Sequence, residues 1–329
     1  MIITGKYPNL RMRRSRRTDW SRRLVQENNL SYNDLILPIF ITDGSNKKIS
    51  IKTMPGVYRY SIDRLGHIVD KSLKKKIPMI AIFPQTNSKL KNTTGSEALN
   101  ENNLVCRAIK YIKKKYKNEI GIMCDVALDP YTSHGHDGLL KNKKILNDET
   151  VDILVQQSIL QASMGCDVIA PSDMMDGRIG KIRNGLDKNN LKDVQIISYA
   201  VKYASSYYGP FRDAVGSKGA LKGDKKTYQM DFKNSDEALR EVALDIKEGA
   251  DMVMVKPGMP YLDVIKNVKD KFKIPVIAYQ VSGEYSLIKN AISKKIIDKK
   301  SIYETLMSFK RAGASAIVSY FADQIDLDF

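Results

Sequence analysis

The sequence predicts an α/β chain folded as a (β/α)8 barrel, a TIM barrel, with an extended N-terminal arm. Three observations support this. Eight short apolar segments rich in Ile and Val recur from residue 34 onward. They are near-continuous apolar runs rather than strict alternations, as expected for parallel strands covered on both faces. Amphipathic stretches of helical period separate most of them, the pattern of repeated βα units. A doubly wound open sheet is the alternative, but no Gly-x-Gly-x-x-Gly follows an early strand, which counts against a dinucleotide fold.

The elements follow in order. Residues 1–33 form the arm and 34–329 the barrel. The first 23 residues, including "RMRRSRRTDWSRR", carry eight basic residues and one acidic and show no regular apolar period. They read as an arm that leaves the barrel and packs on another surface, such as a neighbouring subunit. A nucleic-acid-binding tail and an organelle-targeting segment are the rivals. The strand candidates are 35–41, 79–84, 120–128, 166–172, 195–201, 251–257, 275–282 and 316–322. Helix 149–164 opens with acidic residues and stops at Gly165. Helix 235–248 starts with Ser235 as the expected N-cap and ends at Gly249. Residues 261–272 form a further helix, and 286–312 read as two.

Composition excludes some classes. Of 329 residues, 43% are hydrophobic and 28% charged, enough to fill a globular core. No apolar run approaches the roughly 20 residues that cross a bilayer, and no apolar core follows the basic start, so neither a membrane span nor a secretory signal is expected. Cys106, Cys124 and Cys166 are too scattered for a disulfide framework and fit a reducing, cytoplasmic location. The net charge of +17 reads as a lysine-rich solvated surface, with no nucleic-acid partner expected. A salt-dependent gel shift would support the opposite reading.

Catalytic groups of such a barrel should stand at the C-terminal strand ends. There, Lys256 follows the apolar run of "DMVMVKP", and Lys202 stands in the same relation to "ISYAVK". Neighbouring barrel strands lie about 5 Å apart, so both amines would enter one cavity. Burial and a second cation both disfavour charged lysine, leaving a neutral amine able to attack a carbonyl and form a Schiff base. The competing reading pairs both lysines with carboxylates at the barrel mouth. The third strand leads into "DVALDPYTSHGHDG", where Asp125, Asp129 and Asp137 accompany His134 and His136. This is either a site for Mg²⁺, Mn²⁺ or Zn²⁺ or a polar loop bonded to itself. The fourth strand ends at Ser172, Asp173, Asp176 and Arg178. The seventh ends at Ser282 and the eighth carries Tyr320. Between strands five and six, "GPFRDAVGSKGALKGDKKTYQ" suits a mobile lid, with Arg212 and Lys225 able to clamp a carboxylate.

"MVKPGMPYLD", "YGPFRDA", "DPYTSHGHDG" and "PSDMMDGR" together resemble the porphobilinogen synthase family, also called delta-aminolevulinic acid dehydratase, over nearly the whole chain. The resemblance implies a TIM barrel with an arm, assembled as a homo-octamer, that condenses two molecules of 5-aminolevulinate to porphobilinogen and two waters in tetrapyrrole (heme and chlorophyll) biosynthesis. It implies that Lys256 forms a Schiff base with the substrate supplying the propionate side chain and Lys202 with the second. Ser282 and Tyr320 match the groups holding the first carboxylate, and Arg212 and Lys225 those holding the second. Ser172 and Asp173 match pocket-lining groups, and Asp125 stands among the catalytic carboxylates. The class I aldolases also use a strand-end lysine, but normally only one.

Many members of that family bind a catalytic zinc through three cysteines in the third-strand stretch. The matching positions here are Ala127, Asp129 and Asp137. Carboxylates favour hard, hydrated ions over zinc. The resemblance is therefore to the branch without cysteine at these positions, with no catalytic zinc expected and Asp129 and Asp137 either holding Mg²⁺ loosely or acting without metal. Glu241 matches an allosteric Mg²⁺ site of the family; an ordinary exposed helix glutamate is the alternative.

Overall fold

The computed structural model describes residues 5–216, 219, 221 and 223–327. Eight strands form the barrel: β1 (Leu35–Thr42), β2 (Met79–Gln85), β3 (Gly121–Val126), β4 (Val168–Pro171), β5 (Gln195–Lys202), β6 (Met252–Lys256), β7 (Val276–Gln280) and β8 (Ala316–Ser319). Each pairs in parallel with the next, and β8 closes on β1 through Leu35↔Ile317 and Ile36↔Val318. Closure removes the sheet edges that an open doubly wound fold would leave. A short strand, Tyr58–Tyr60, adds to the end of β1, and Lys48–Ser50 pairs with it antiparallel.

The eight expected strands are the eight barrel strands, with shifted ends. The seventh stops at Gln280, because Ser282 already begins a helix, and the eighth stops at Ser319, just before Tyr320. Eight helices flank the barrel: α1 (Leu65–Lys74), α2 (Leu104–Tyr116), α3 (Asn147–Ser163), α4 (Arg178–Lys188), α5 (Asp236–Glu248), α6 (Leu262–Phe272), α7 (Ser282–Ser293) and α8 (Ser301–Ala312). The stretch 286–312 is indeed two helices, the first starting four residues earlier. One expectation fails. Ser235 precedes α5 but its side chain makes no capping bond, and its backbone is already in the right-handed helical region. The other end behaves as read: Gly249 takes φ +107°, the left-handed conformation that glycine adopts without a Cβ penalty.

The arm is not extended throughout. It holds a 3-10 turn, Met12–Arg16, and a short helix, Asp19–Leu24. Tyr7, Met12, Trp20 and Leu24 on it are exposed. The chain reaches the barrel at Leu30, which is buried, and Tyr32, whose hydroxyl donates to the Ile325 carbonyl at 3.3 Å.

Apolar residues fill both faces of the strands. Inside, Phe83 on β2 meets Tyr279 on β7, strands that are not neighbours in the sheet, so the contact crosses the barrel. Phe40, Tyr199 and Tyr320 join this interior with ring centroids 5.7 to 6.4 Å apart. The floor of the site is therefore aromatic, dry and closely packed.

Candidate active site

Lys202 and Lys256 are register partners, the last residues of β5 and β6. Both side chains are buried, at 5% and 7% exposure. The Lys202 ammonium donates to the Ser172 carbonyl and lies 3.5 Å from Asp137 Oδ1. Lys256 Nζ has no such carboxylate contact among the described residues. It sits among four rings, 4.6 Å from Tyr279, 5.0 Å from Tyr199, 5.3 Å from Phe211 and 5.5 Å from Tyr208. The two readings of the lysine pair thus divide: Lys202 is carboxylate-paired, and Lys256 is caged by aromatic faces. Burial, reinforced by the neighbouring Lys202 charge, pulls the Lys256 pKa down to about 7 against the pull of Asp125, Asp129 and Asp137. A substantial neutral fraction therefore exists near neutral pH.

The carboxylates of the third-strand stretch differ in state. Asp125 is pushed up to about 6 by burial and by Asp129, with Lys256, Lys202 and a Ser172 hydrogen bond opposing. Asp125 Oδ1 has no hydrogen-bond partner. Burial alone would raise Asp137 as well, but Lys202 and Lys225 override it and hold its pKa well below the usual range. Lys225 Nζ lies 2.9 Å from Asp137 Oδ2 and 3.5 Å from Asp129 Oδ2. Its ammonium occupies the place between the two carboxylates where a cation would sit. These oxygens have the donor chemistry for a hard ion, yet as arranged the pair is filled by Lys225. The histidines serve the loop: His136 N–H donates to His134 Nδ1 at 3.2 Å, His136 Nδ1 lies 3.1 Å from the Tyr228 hydroxyl, and His134 Nε2 lies 3.2 Å from the Thr93 carbonyl. Among the described residues, no three His, Cys, Asp or Glu side chains gather as a metal site.

The remaining candidates divide between the lysine cavity and the packing behind it. Arg212, Lys225, Asp129, Lys202 and Lys256 line one cavity of about 40 Å³. At roughly 10–15 Å³ per water it admits only a few waters, with Arg212 and Lys225 sharing its lining with the lysines. Ser282 and Tyr320 lie on the Lys256 side. The Ser282 hydroxyl accepts from the Phe211 N–H at 2.9 Å, and Phe211 is one of the caging rings. The Tyr320 hydroxyl lies 3.2 Å from that of Tyr279, another caging ring. Ser172 stands behind Lys202 and contacts Asp125. Asp173 is turned away from the cavity: it accepts from the Met175 N–H at 2.7 Å and lies 3.5 Å from Arg178 Nε. Burial pushes its pKa up to about 6 against Arg178.

Glu241 is apart from all of these. It lies half-buried on α5 and lines a separate cavity of about 630 Å³ together with Asp176, Asn147 and Tyr228. Burial, then Asp245, Asp176 and Glu237, raise its pKa, with Arg178 opposing. The lining mixes the carboxylates of Asp176, Asp231, Glu237 and Glu241 with the amines of Lys143, Lys144 and Lys226.

Sequence reasoning missed several participants. Tyr199 and Tyr279 read as strand residues, and only barrel closure makes them a cage. Lys91 is a further buried amine, with no hydrogen-bond partner for its Nζ among the described residues and its pKa lowered by burial against the nearby Asp129. Nothing in its sequence setting separates it from the many surface lysines.

A family model described as delta-aminolevulinic acid dehydratase matches residues 9–327. The delta-aminolevulinic acid dehydratase of Bradyrhizobium diazoefficiens is 59% identical over 95% of this chain and 89% of its own. That of Rhodobacter capsulatus is 49% identical over 98% and 97%. The solved Toxoplasma gondii delta-aminolevulinic acid dehydratase (porphobilinogen synthase), in complex with its reaction product porphobilinogen, superimposes with a TM-score of 0.94 at 45% identity, covering 96% of this chain and 90% of that one.

Proposed function

The chain belongs to the delta-aminolevulinic acid dehydratase family, and from that premise we propose how its own residues carry out the reaction. Its activity is porphobilinogen synthesis, a dehydrating condensation of two 5-aminolevulinates on the route to porphyrin and heme.

Neutral Lys256 attacks the ketone carbon of the first substrate, and loss of water leaves a Schiff base. Lys202 does the same with the second. The carbon beside the second imine bonds to the imine carbon on Lys256. The first substrate's amine bonds to the carbon on Lys202. Each lysine leaves again as free amine, so the two waters lost on capture are the two released per product. Asp125, raised to about 6 and facing both amines electrostatically, is suited to carry protons in these steps. Ser282 and Tyr320 anchor the first carboxylate, and Arg212 and Lys225 the second, after Lys225 exchanges its contacts with Asp129 and Asp137 for the substrate. Ser172 holds Lys202 by its carbonyl, and Asp173 braces the turn behind it.

The observation that carries this reading is the register Lys256↔Lys202, which sets two amines side by side in one small buried pocket. It is tested by adding borohydride to the protein with 5-aminolevulinate and mapping the reduced adducts. Adducts on Lys256 and Lys202 support it; an unmodified Lys256 refutes it.

The same reading extends to metals and assembly. Ala127, Asp129 and Asp137, standing where a zinc-binding member would carry cysteines, support a reading of the chain as one of the branch without a cysteine-bound zinc. Glu241 would hold an allosteric Mg²⁺, and an ion there would neutralise the crowded carboxylates around α5; Asp129 and Asp137 would accept one only when Lys225 leaves. The exposed apolar and arginine-rich arm suits contact with a second copy in a homo-octamer working in the cytoplasm. No described helix is long and apolar enough to cross a membrane.

A further inference from the structure

Glu284 belongs to none of the motifs above, yet its carboxylate is 1% exposed at the start of α7. It has no basic partner among the described residues. Instead it accepts three backbone N–H groups from two different turns. Oε1 takes Met259 N at 2.5 Å, while Oε2 takes Val281 N at 2.6 Å and Gly258 N at 3.3 Å. Gly258 lies two residues after Lys256, and Val281 immediately precedes Ser282. The turn after Lys256 has no slack: a Cβ at Gly258 would come within 2.5 Å of the Phe309 ring and 3.0 Å of the Tyr279 carbonyl. The turn at Ser282 is equally tight, since a Cβ on Gly283 would lie 2.4 Å from the Tyr207 carbonyl oxygen. The far side of Lys256 is held too, its carbonyl accepting from Tyr203 N at 3.0 Å and the Tyr208 hydroxyl at 3.2 Å.

We propose that Glu284 is a positioning residue that sets substrate length: by tying the turn after Lys256 to the turn before Ser282, it fixes the distance between the capturing amine and the carboxylate anchor. This rests on the roles given to Lys256 and Ser282 above. In 5-aminolevulinate two methylenes separate the ketone carbon from the carboxylate. A rigid spacing between amine and anchor accepts that length and misplaces the ketone of a homologue one methylene longer. Carboxylate is suited to the task because it is acceptor-only and can meet all three donors at once. Glutamine keeps one acceptor oxygen: an N–H₂ toward Val281 N and Gly258 N releases the turn before Ser282, and one toward Met259 N leaves the turn after Lys256 held only by the longer Gly258 bond of 3.3 Å.

The test compares borohydride trapping of levulinic acid (4-oxopentanoic acid) with trapping of 5-oxohexanoic acid, which has one more methylene. The native protein should form the Lys256 adduct with levulinic acid faster by about tenfold or more, the usual worth of one methylene in a fitted site. In Glu284→Gln that ratio should fall severalfold, while the share of levulinate adduct on Lys202 rises. Glu284→Asp keeps the charge but is one methylene shorter, so it should lose the ratio as well, and it serves if the glutamine variant does not fold. An unchanged ratio in the folded variants, or no preference in the native protein, overturns the inference. Absence of any native adduct on Lys256 would instead overturn the Schiff-base reading beneath it. A role confined to general stability would lower the melting temperature and leave the ratio alone.

Discussion

Replacing Lys202 with methionine should make Lys256 a worse nucleophile at neutral pH without touching it. The Lys256 pKa is drawn from 10.5 to about 7, with burial the largest cause and the Lys202 charge the next. Methionine keeps most of the volume, so burial persists. The charge goes, and Asp125, Asp129 and Asp137 then favour the ammonium against burial alone. Two unit charges about 5 Å apart at an effective dielectric near 20 repel by about 3 kcal/mol, or roughly two pKa units. Because burial is the larger share, a rise to between about 8 and 9 follows. At pH 7 the neutral fraction of Lys256 would then fall roughly five- to fiftyfold. Turnover is lost in this variant, so the readout is the rate of borohydride-trapped levulinate adduct at Lys256 as a function of pH. The midpoint should move to higher pH. A midpoint that stays near the native value, or moves to lower pH, refutes the electrostatic coupling of the two amines.

Three further outcomes are expected. Lys256→Met should abolish turnover and raise thermal stability: the unfolded chain keeps this proton up to about pH 10.5 and the folded chain only to about 7, so the penalty is full below pH 7 and disappears above 10.5. The gain at pH 7 is on the order of a few kcal/mol, and calorimetry showing a lower melting temperature there would refute it. The zinc-selective chelator 1,10-phenanthroline should leave activity intact, whereas strong inhibition reversed by zinc would place a zinc ion in the site. Glu241→Ala should abolish the Mg²⁺-dependent change in sedimentation; an unchanged Mg²⁺ response would remove Glu241 from any ion site.

The barrel was legible because its signal is local: each strand is an apolar run, and each βα unit repeats it. The two lysines were legible for a related reason, since a lysine directly after an apolar strand has only the barrel mouth to enter. Strand ends were less so. Ser282 looks like the end of an apolar run, but Glu284 accepts backbone N–H groups at that point and starts α7 there. The state of the carboxylates was hidden for a different reason. Asp125 and Asp137 are twelve residues apart and both buried, yet one is raised and the other lowered. What separates them is Lys225, close to a hundred positions away in the chain and within 2.9 Å of Asp137. No spacing rule reaches that far.

The cage around Lys256 raises a question that its pKa alone does not answer. Aromatic faces attract cations, so four rings within 5.5 Å should favour the ammonium. Lost hydration and the Lys202 charge act in the opposite direction and pull the pKa down. An ammonium concentrates its charge on N–H groups that water solvates strongly, and the rings do not replace that solvation. A protonated Schiff base spreads its charge over nitrogen and carbon, needs less hydration, and presents a flatter cation to the ring faces. In the proposed reaction the four rings therefore favour the iminium, the species attacked next, over an ammonium that has lost its water. Interactions stronger in the intermediate and its flanking transition states than in the free enzyme are the ones that accelerate a reaction. On the proposed mechanism the cage acts after capture as well as before it, so that the covalent step and the bond-forming step draw on one set of contacts.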